Sequence, residues 1–223
     1  MERGSESVRR RNQEVGEIML AMEQKIDRLR RVLELIPKHG KLLEIGSYPF
    51  IYTRRLVNKG YDVTGIDLNR TKEDLNIVVC DVEKHLPFKD KSYDIILFME
   101  VLEHLGNNPI KALKEIHRVL KDDGIMILTT PNILRLENLY SIIRRGKQTE
   151  TLKSIAQKET MDYIGHIREY SKNELKEILE YCKFETKHYW FEWTDCRPVR
   201  FFVVLFPWFS TNIIMVCKKE TKK

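Results

Sequence analysis

The stretch LLEIGSYPF, residues 42–50, gives the first indication of the fold of this 223-residue chain. A short apolar run carries an acid, Glu44, near its end and is followed by Gly46. This order is typical of a β-strand that opens onto a nucleotide-binding turn. An aromatic–proline–aromatic triplet, residues 48–50, then stands where such turns usually have small residues. The sequence therefore predicts a ligand-binding loop of unusual bulk.

Segments with strand and helix patterns alternate on the C-terminal side of this stretch, with short links between them. Such alternation predicts an α/β fold with a doubly wound, Rossmann-like, mostly parallel sheet. The predicted strands cover residues 41–45, 61–67, 76–81, 93–100, 125–130, 184–193 and 212–219. The predicted helices cover residues 50–60, 109–121, 133–146 and 172–182, the last capped by Ser171.

The N-terminal part of the chain predicts one long amphipathic helix. Residues 12–36 carry apolar side chains at helical spacing, and Pro37 ends the pattern. We expect this helix to pack on the domain or on a partner subunit, so an oligomer could form through it. The predicted organisation is an N-terminal helix within residues 1–40 and one α/β domain over 41–223, in which 131–170 form a helical cover over an acceptor site.

Composition indicates a globular cytoplasmic protein. The four cysteines are widely spaced, which argues against a zinc knuckle or a disulfide framework and favours a reducing compartment. The charged first residues predict no secretory signal peptide. The most apolar stretch, residues 201–217, is short and interrupted by Pro207, so it predicts buried sheet and at most contact with a membrane surface, without a spanning helix.

Acidic residues lie at the carboxyl ends of successive predicted strands. They are Glu44, Asp67, Asp81 and Glu100, and ligands of such folds bind at this carboxyl edge of the sheet. A dinucleotide would need a G-x-G-x-x-G cradle, of which only Gly46 is present, and the acids would repel its pyrophosphate. An adenosine with a cationic centre and no phosphate fits better. S-adenosylmethionine (SAM) is such a molecule.

Five segments resemble the motifs of class I SAM-dependent methyltransferases. They are LLEIG, VTGIDLN, VVCDVEKHLPF, YDIILFMEVLEHL and HRVLKDDGIMILTTPN, which together span residues 40–130, with a looser likeness to residue 218. TTPN, ENLYSIIRRGK and GHIREYSKNEL are similar to segments of enzymes that methylate sugars or polysaccharide precursors. The resemblance implies a seven-stranded sheet whose last strand is antiparallel.

The cofactor is predicted to lie along the ends of the first four strands. Asp67 is placed to accept hydrogen bonds from a ribose diol, and Asp81 to accept one from the adenine amino group. Pro49 is expected in the first turn of the following helix, with Ser47 as its cap, and this would give a stiff but functional loop. The predicted cofactor-binding residues are Glu44, Gly46, Ser47, Tyr48, Asp67, Leu68, Asp81, Val82 and Glu100.

The segment EVLEH, residues 100–104, carries the predicted chemistry. Glu100, Glu103 and His104 would share one face of a helical turn, and two carboxylates with an imidazole suit Mg, Mn or Zn. The same E-x-x-E-H pattern supplies metal ligands in the O-methyltransferases of ubiquinone synthesis and in the 2′-O-methyltransferases of small RNAs, which makes His166 a fourth ligand here. Alternatively His104 or His166 is the general base. Taking both possibilities together, the predicted catalytic residues are His104, Glu100 and His166.

The predicted activity is O-methylation of a hydroxyl on a saccharide, a nucleotide-sugar or a lipid-linked glycan precursor. Four arginines make the cover basic, which favours an acceptor with a phosphate or a carboxylate. They are Arg135, Arg144, Arg145 and Arg168. An RNA 2′-hydroxyl or a quinone precursor is the alternative acceptor, and RNA is the weaker because no basic stripe is interleaved with stacking aromatics. An alternative of another class is a non-catalytic partner subunit that keeps the fold.

Overall fold

The computed structural model describes residues 30–68, 75–106, 108–148, 165–192 and 205–220. The chain divides into two units, Met1–Lys38 and His39–Lys223. In the first unit residues 30–35 are helical. The remainder of the predicted helix 12–36 lies outside the described residues, apart from residue 36.

Within the described residues, seven strands form one sheet. The strands are β1 Lys41–Ile45, β2 Asp62–Asp67, β3 Ile77–Val79, β4 Tyr93–Met99, β5 Leu120–Pro131, β6 Phe184–Glu192 and β7 Asn212–Lys219. The helices of this unit are α1 Ile51–Asn58, α2 Pro109–Val119, α3 Leu136–Arg145 and α4 Lys172–Tyr181. Two short 3-10 helices, Leu102–His104 and Pro207–Phe209, complete the description.

The strand order is β3-β2-β1-β4-β5-β7-β6. β1 pairs in parallel with both β2 and β4, whereas β7 runs antiparallel to β5 and β6. This topology confirms the predicted Rossmann-like sheet with an antiparallel last strand. Because the strand order reverses at β1 and β4, the loops that leave their carboxyl ends diverge and border a crevice.

The core explains the apolar β4 sequence. Residues 95–98 of this strand are all fully buried, as expected for a central strand covered on both faces. The helices contribute Leu113 and Ile116 from α2, and Leu175 and Leu179 from α4, to the same hydrophobic cluster. At roughly 1.5–3 kcal/mol for each fully buried aliphatic side chain, this cluster makes a rigid support for the loops at the carboxyl edge.

The junction of α2 and β5 differs from the prediction. The helix was expected to reach residue 121 and the strand to begin at 125, but α2 ends at Val119 and β5 begins at Leu120. Leu120 pairs with Tyr93, and the register then shifts before Ile125 pairs with Ile95. Local periodicity could not reveal this because the early residues of β5 are fixed by pairing with β4.

The described part of the apolar C-terminal stretch, residues 205–217, begins outside the sheet and ends within β7. The buried residues of β7 agree with the predicted buried sheet, whereas Leu205 and Trp208 are exposed. Among the described residues there is no helix with the length and apolar character needed to cross a membrane.

Candidate functional site at the carboxyl edge of the sheet

The loop after β1 is fitted closely between two neighbouring elements. The amides of Gly46 and Ser47 both donate to the carbonyl oxygen of Ile66, at 2.9 and 3.2 Å. Gly46 has φ +71°, and a Cβ added to it would lie 2.3 Å from Cγ2 of Val101. Only glycine tolerates both the left-handed conformation and this close approach. The loop therefore touches the end of β2 on one side and the residues after β4 on the other.

The bulky triplet is arranged differently from the prediction. Phe50, with φ +66°, is the N-cap of α1, and no side chain caps this helix. The prediction that Ser47 caps the helix is therefore wrong, and so is the prediction that Pro49 lies in its first turn. Ser47 Oγ instead donates a hydrogen bond of 3.4 Å to the carbonyl oxygen of Ile66. Phe50 is 5% exposed and Tyr48 is 61% exposed. Phe50 thus adds to the packing of the domain, while most of the Tyr48 side chain is in solvent.

Two of the predicted cofactor acids hold this loop in place. Glu44 is only 3% exposed, and its Oε2 accepts a hydrogen bond of 2.5 Å from Thr53 Oγ1 in α1. Asp67 Oδ2, at the end of β2, accepts a hydrogen bond of 2.9 Å from the amide of Tyr48. Glu44 therefore holds the loop to α1 from inside the domain. Asp67 binds the loop from the end of β2, and its carboxylate is partly exposed.

The ends of β2 and β3 lie side by side, since Asp67 pairs with Val79. Leu68 is exposed and Val82 is buried. Asp81 Oδ1 accepts a hydrogen bond of 2.9 Å from the amide of Glu83. Asp81 therefore follows the edge of the sheet as predicted, with one oxygen engaged in its own turn.

The segment after β4 turns sharply at Glu100, which has φ +56°. Its amide donates to the carbonyl oxygen of Thr129, and its Oε1 accepts from Thr129 Oγ1 at 2.7 Å. Glu103, in the 3-10 helix, is fully buried, and its Oε2 accepts from Thr130 Oγ1 at 3.0 Å. Both carboxylates are thus anchored on β5, by consecutive threonines.

The structure brings together three of the four predicted metal ligands. Glu103, His104 and His166 each offer a ligand atom, and these atoms lie within 4.8 Å of one another. The two imidazole centroids are 5.1 Å apart, and His104 Nε2 lies 4.0 Å from Glu103 Oε1. Glu100 is not part of this group, and its Oε1 accepts a hydrogen bond from Thr129 Oγ1. The candidate metal ligands that lie together are therefore two histidines and one carboxylate.

The segment 165–170 carries His166 to His104. The amides of Ile167 and Arg168 both donate to the carbonyl oxygen of Glu103, at 2.8 and 3.2 Å. The Gly165 carbonyl oxygen lies 3.2 Å from His104 Nδ1. These hydrogen bonds attach residues 165–168 of the predicted cover to the Glu103–His104 turn. Residues 149–164 of the cover lie outside the described residues.

Sequence reasoning missed Glu169. This buried carboxylate places Oε1 3.0 Å from His166 Nδ1, and its Oε2 accepts from Arg135 Nη1. Burial alone would raise the pKa of Glu169, but the hydrogen bonds and charges of His166 and Arg135 bring that pKa below its usual value. The spacing of three residues between His166 and Glu169 could have suggested this pair. Arg135 and Arg168, two of the predicted cover arginines, are paired within the protein, the latter with Glu174 at 3.0 Å.

Comparison with known proteins gives the following matches. A family model described as a methyltransferase domain matches residues 16–188. A protein of Methanocaldococcus jannaschii is 46% identical over 54 residues, which are 24% of this chain and 23% of that protein. The ubiquinone biosynthesis O-methyltransferase of Photobacterium profundum is 25% identical over 160 residues, which are 66% of this chain and 65% of that enzyme. The chain thus spans less than two thirds of the length of these relatives.

Solved structures share the fold. A SAM-dependent methyltransferase from Archaeoglobus fulgidus superposes with a TM-score of 0.65 at 20% identity, over 89% of this chain and 94% of the other. The Burkholderia thailandensis 1,6-didemethyltoxoflavin-N1-methyltransferase, solved with its substrate and S-adenosylhomocysteine, gives 0.59 at 17% identity, over 90% and 79%. A Haloferax volcanii chain solved in the complex of a methyltransferase with its activator Trm112 gives 0.56 at 16% identity, over 82% and 83%. At these identities the likeness shows the fold alone.

Proposed function

Because the chain belongs to the family of the methyltransferase domain, whose model matches residues 16–188, we propose that it transfers a methyl group from SAM to a hydroxyl oxygen of a small-molecule acceptor. Family membership and the sheet topology confirm the predicted class I SAM-dependent methyltransferase superfamily. The observation that supports the proposal is one contact: Gly46 of the β1 loop lies against Val101, which immediately precedes the 3-10 helix Leu102–His104. The proposed cofactor loop is therefore in contact with the segment that carries the candidate proton acceptor.

The residues of the crevice fit SAM. The close approach at Gly46 excludes a Cβ, so at this residue the β1 loop presents only backbone atoms. Asp67 and Asp81, at the ends of neighbouring strands, are acceptors suited to ribose hydroxyls and to an adenine amino group. SAM supplies a methyl group on a cationic sulfur, and an edge with several carboxylates attracts positive charge. Glu44 supports this arrangement from inside through Thr53.

A histidine acts as the general base in this proposal. A hydroxyl must lose its proton as its oxygen takes up the methyl group, and imidazole is suited to accept that proton near neutral pH. The rings of His104 and His166 lie edge to face with their centroids 5.1 Å apart, and Oε1 of the buried Glu103 lies 4.0 Å from His104 Nε2. Holding the acceptor in line with the methyl group supplies the other large part of the acceleration.

A divalent metal is a second element of the proposal. Two imidazoles and a carboxylate, from His104, His166 and Glu103, match the donor set of catalytic zinc sites. Mg prefers an all-oxygen shell, so Zn or Mn fits this set better. When bound, such an ion would lower the pKa of an acceptor hydroxyl. Chelation by EDTA tests this point, because activity that survives undiminished would leave the histidines as bases alone.

Two acceptor classes remain within the proposal, and the relatives favour one. A phenolic hydroxyl of a quinone precursor is supported by the ubiquinone biosynthesis O-methyltransferases, which match over 66% of this chain in Photobacterium profundum and 71% in Rickettsia bellii. The predicted saccharide acceptor rested on segment resemblance and on basic cover residues. Arg135 and Arg168 are engaged by carboxylates, which weakens that support. Saccharides are therefore the second acceptor class to test, after phenolic compounds.

The direct test is methyl transfer from SAM carrying a radiolabelled methyl group, with a panel of phenols, catechols and sugars. We expect label in a hydroxyl compound, and a loss of roughly 100-fold or more in His104→Asn and His166→Asn. His188→Asn is the matched control, because His188 is exposed on β6. Cofactor binding without turnover on any acceptor would favour the non-catalytic partner subunit instead.

Location and assembly complete the proposal. The three described cysteines, Cys80, Cys182 and Cys217, are free thiols, which suits the predicted cytoplasmic location. A partner subunit, or a second copy of this chain, would bind through the predicted N-terminal amphipathic helix. Sedimentation of the full chain and of a variant that lacks the predicted helix would show whether that helix mediates assembly.

A further inference from the structure

We propose that Glu169 and Arg135 are positioning residues that determine which ring nitrogen of His166 carries the proton. His166 reaches the site on the segment 165–170, and Glu169 lies three residues further along the same segment. The inference deepens the proposed function, because it rests on the role proposed there for His166, but its test reads the ring directly and needs no acceptor.

The hydrogen-bond partners fix the tautomer of both histidines. A carboxylate only accepts, so His166 Nδ1, 3.0 Å from Glu169 Oε1, must carry the proton. A carbonyl oxygen also only accepts, so His104 Nδ1, 3.2 Å from the Gly165 oxygen, carries its proton too. Nε2 is then the acceptor nitrogen of each ring. That is the nitrogen that can take a proton from a hydroxyl or bind a metal.

The two carboxylate oxygens of Glu169 have different partners: Oε2 accepts from Arg135, and Oε1 lies beside His166 Nδ1. A guanidinium has only donors, so the carboxylate oxygen that Arg135 binds is committed to accepting. Arg135 Nη1 also donates to the Asn132 carbonyl oxygen at 3.3 Å, which fixes the guanidinium to the end of β5. The chain of contacts therefore runs from the sheet through Arg135 and Glu169 to His166.

Burial holds this chain in one arrangement. The side chains of Arg135, Glu169 and His166 are only 12%, 4% and 22% exposed. The next residue, Tyr170, is fully buried and forms a bridge with Asn132, and Ile133 N donates to its carbonyl oxygen at 3.1 Å. Water therefore has little access with which to replace the Glu169 carboxylate.

The substitution Glu169→Gln gives a sharp expectation. The amide has one accepting oxygen, and Arg135 would take it, because Arg135 cannot accept from an NH₂ group. The NH₂ group would then face His166 Nδ1, which must accept and so lose its proton. The proton of His166 is expected to move to Nε2. A purely structural role for Glu169 predicts no such inversion.

The double variant Arg135→Met with Glu169→Gln should reverse the effect. Without Arg135 the amide oxygen is released to accept from His166 Nδ1, and the original tautomer returns. Glu177→Gln, on the exposed face of α4, is the matched control. A cooperative urea-unfolding transition, which needs no cofactor, reports that each variant is folded.

The measurement is two-dimensional NMR of ¹⁵N-histidine-labelled full-length protein, in which nitrogen shifts and couplings show which ring nitrogen carries the proton. We expect Nδ1–H in the wild type, Nε2–H in Glu169→Gln and Nδ1–H in the double variant. A wild-type ring with its proton on Nε2, or a Glu169→Gln ring that keeps Nδ1–H, overturns the inference. The expected tautomers with no cofactor binding would overturn the proposed function and leave this inference standing.

Discussion

The substitution Gly46→Ala should both destabilise the protein and weaken cofactor binding. The left-handed φ of +71° costs an alanine roughly 1–2 kcal/mol. The new Cβ would also lie 2.3 Å from Val101 Cγ2, a contact that forces a shift. Overpacking of this kind costs roughly 1–3 kcal/mol, so the free energy of unfolding should fall by roughly 2–5 kcal/mol.

The chain supplies a control that separates the two costs. Gly60 has φ +87°, and a Cβ added there would meet nothing within 4 Å. Gly60→Ala should therefore show the conformational cost alone, roughly 1–2 kcal/mol. The difference between the two variants then measures the contact with Val101. Adding Val101→Ala to Gly46→Ala should recover part of that difference, because the clashing methyl group is gone.

The assays are urea unfolding for stability and calorimetric titration with S-adenosylhomocysteine for binding. Gly46→Ala should bind at least tenfold more weakly, and Gly60→Ala should bind like the wild type. If Gly46→Ala and Gly60→Ala lose the same stability, and Gly46→Ala binds as the wild type does, the claim that the crevice depends on this close approach is refuted.

Three further outcomes concern stability and are measured by urea unfolding. Thr53→Val removes the hydroxyl that donates to the buried Glu44 carboxylate and should cost roughly 1–3 kcal/mol; a loss below roughly 0.5 kcal/mol would contradict this role. Arg118→Met removes a guanidinium that donates to Glu115, Asp90 and two backbone carbonyl oxygens, and should cost roughly 3 kcal/mol, with an unchanged midpoint as the contrary result. Burial lowers the pKa of His117, so the unfolded state binds more protons and stability should fall as the pH drops from 6.5 through the folded pKa. His117→Gln should flatten that dependence, and an equal slope in both proteins would count against it.

Much of the fold could be predicted because its strands and helices have characteristic patterns of neighbouring residues. The apolar run of β4 predicted a strand covered on both faces, and its residues 95–98 are fully buried. Ser171 and Glu174 predicted the start of α4, and both hydrogen bonds of that capping box are present. These features depend on neighbours in sequence, which periodicity and capping rules describe.

The loop after β1 could be predicted only in part. The need for glycine at residue 46 was visible, but its cause, the contact with Val101, depends on the order of β1 and β4 in the sheet. The conformation of Phe50 was missed because its neighbours allow several helix starts, and burial of its ring in the domain selects one.

The candidate site shows the same division. The E-x-x-E-H pattern pointed to Glu103 and His104, but Glu100 proved to bind Thr129, a contact set by pairing between β4 and β5. Glu169 was missed because its importance comes from Arg135, which is 34 residues distant in sequence. Contacts between distant segments are what sequence patterns leave undetermined.

We propose that the adenosyl cofactor binds at the carboxyl ends of β1, β2 and β3 through Asp67. The most direct measurement is calorimetric titration of S-adenosylhomocysteine into wild-type protein, Asp67→Ala and the control Asp123→Ala, in which an exposed acid is removed. We expect one ligand per chain for the wild type and for Asp123→Ala, and binding at least tenfold weaker for Asp67→Ala. Absence of heat with folded wild-type protein, or equal affinity in all three proteins, would contradict it.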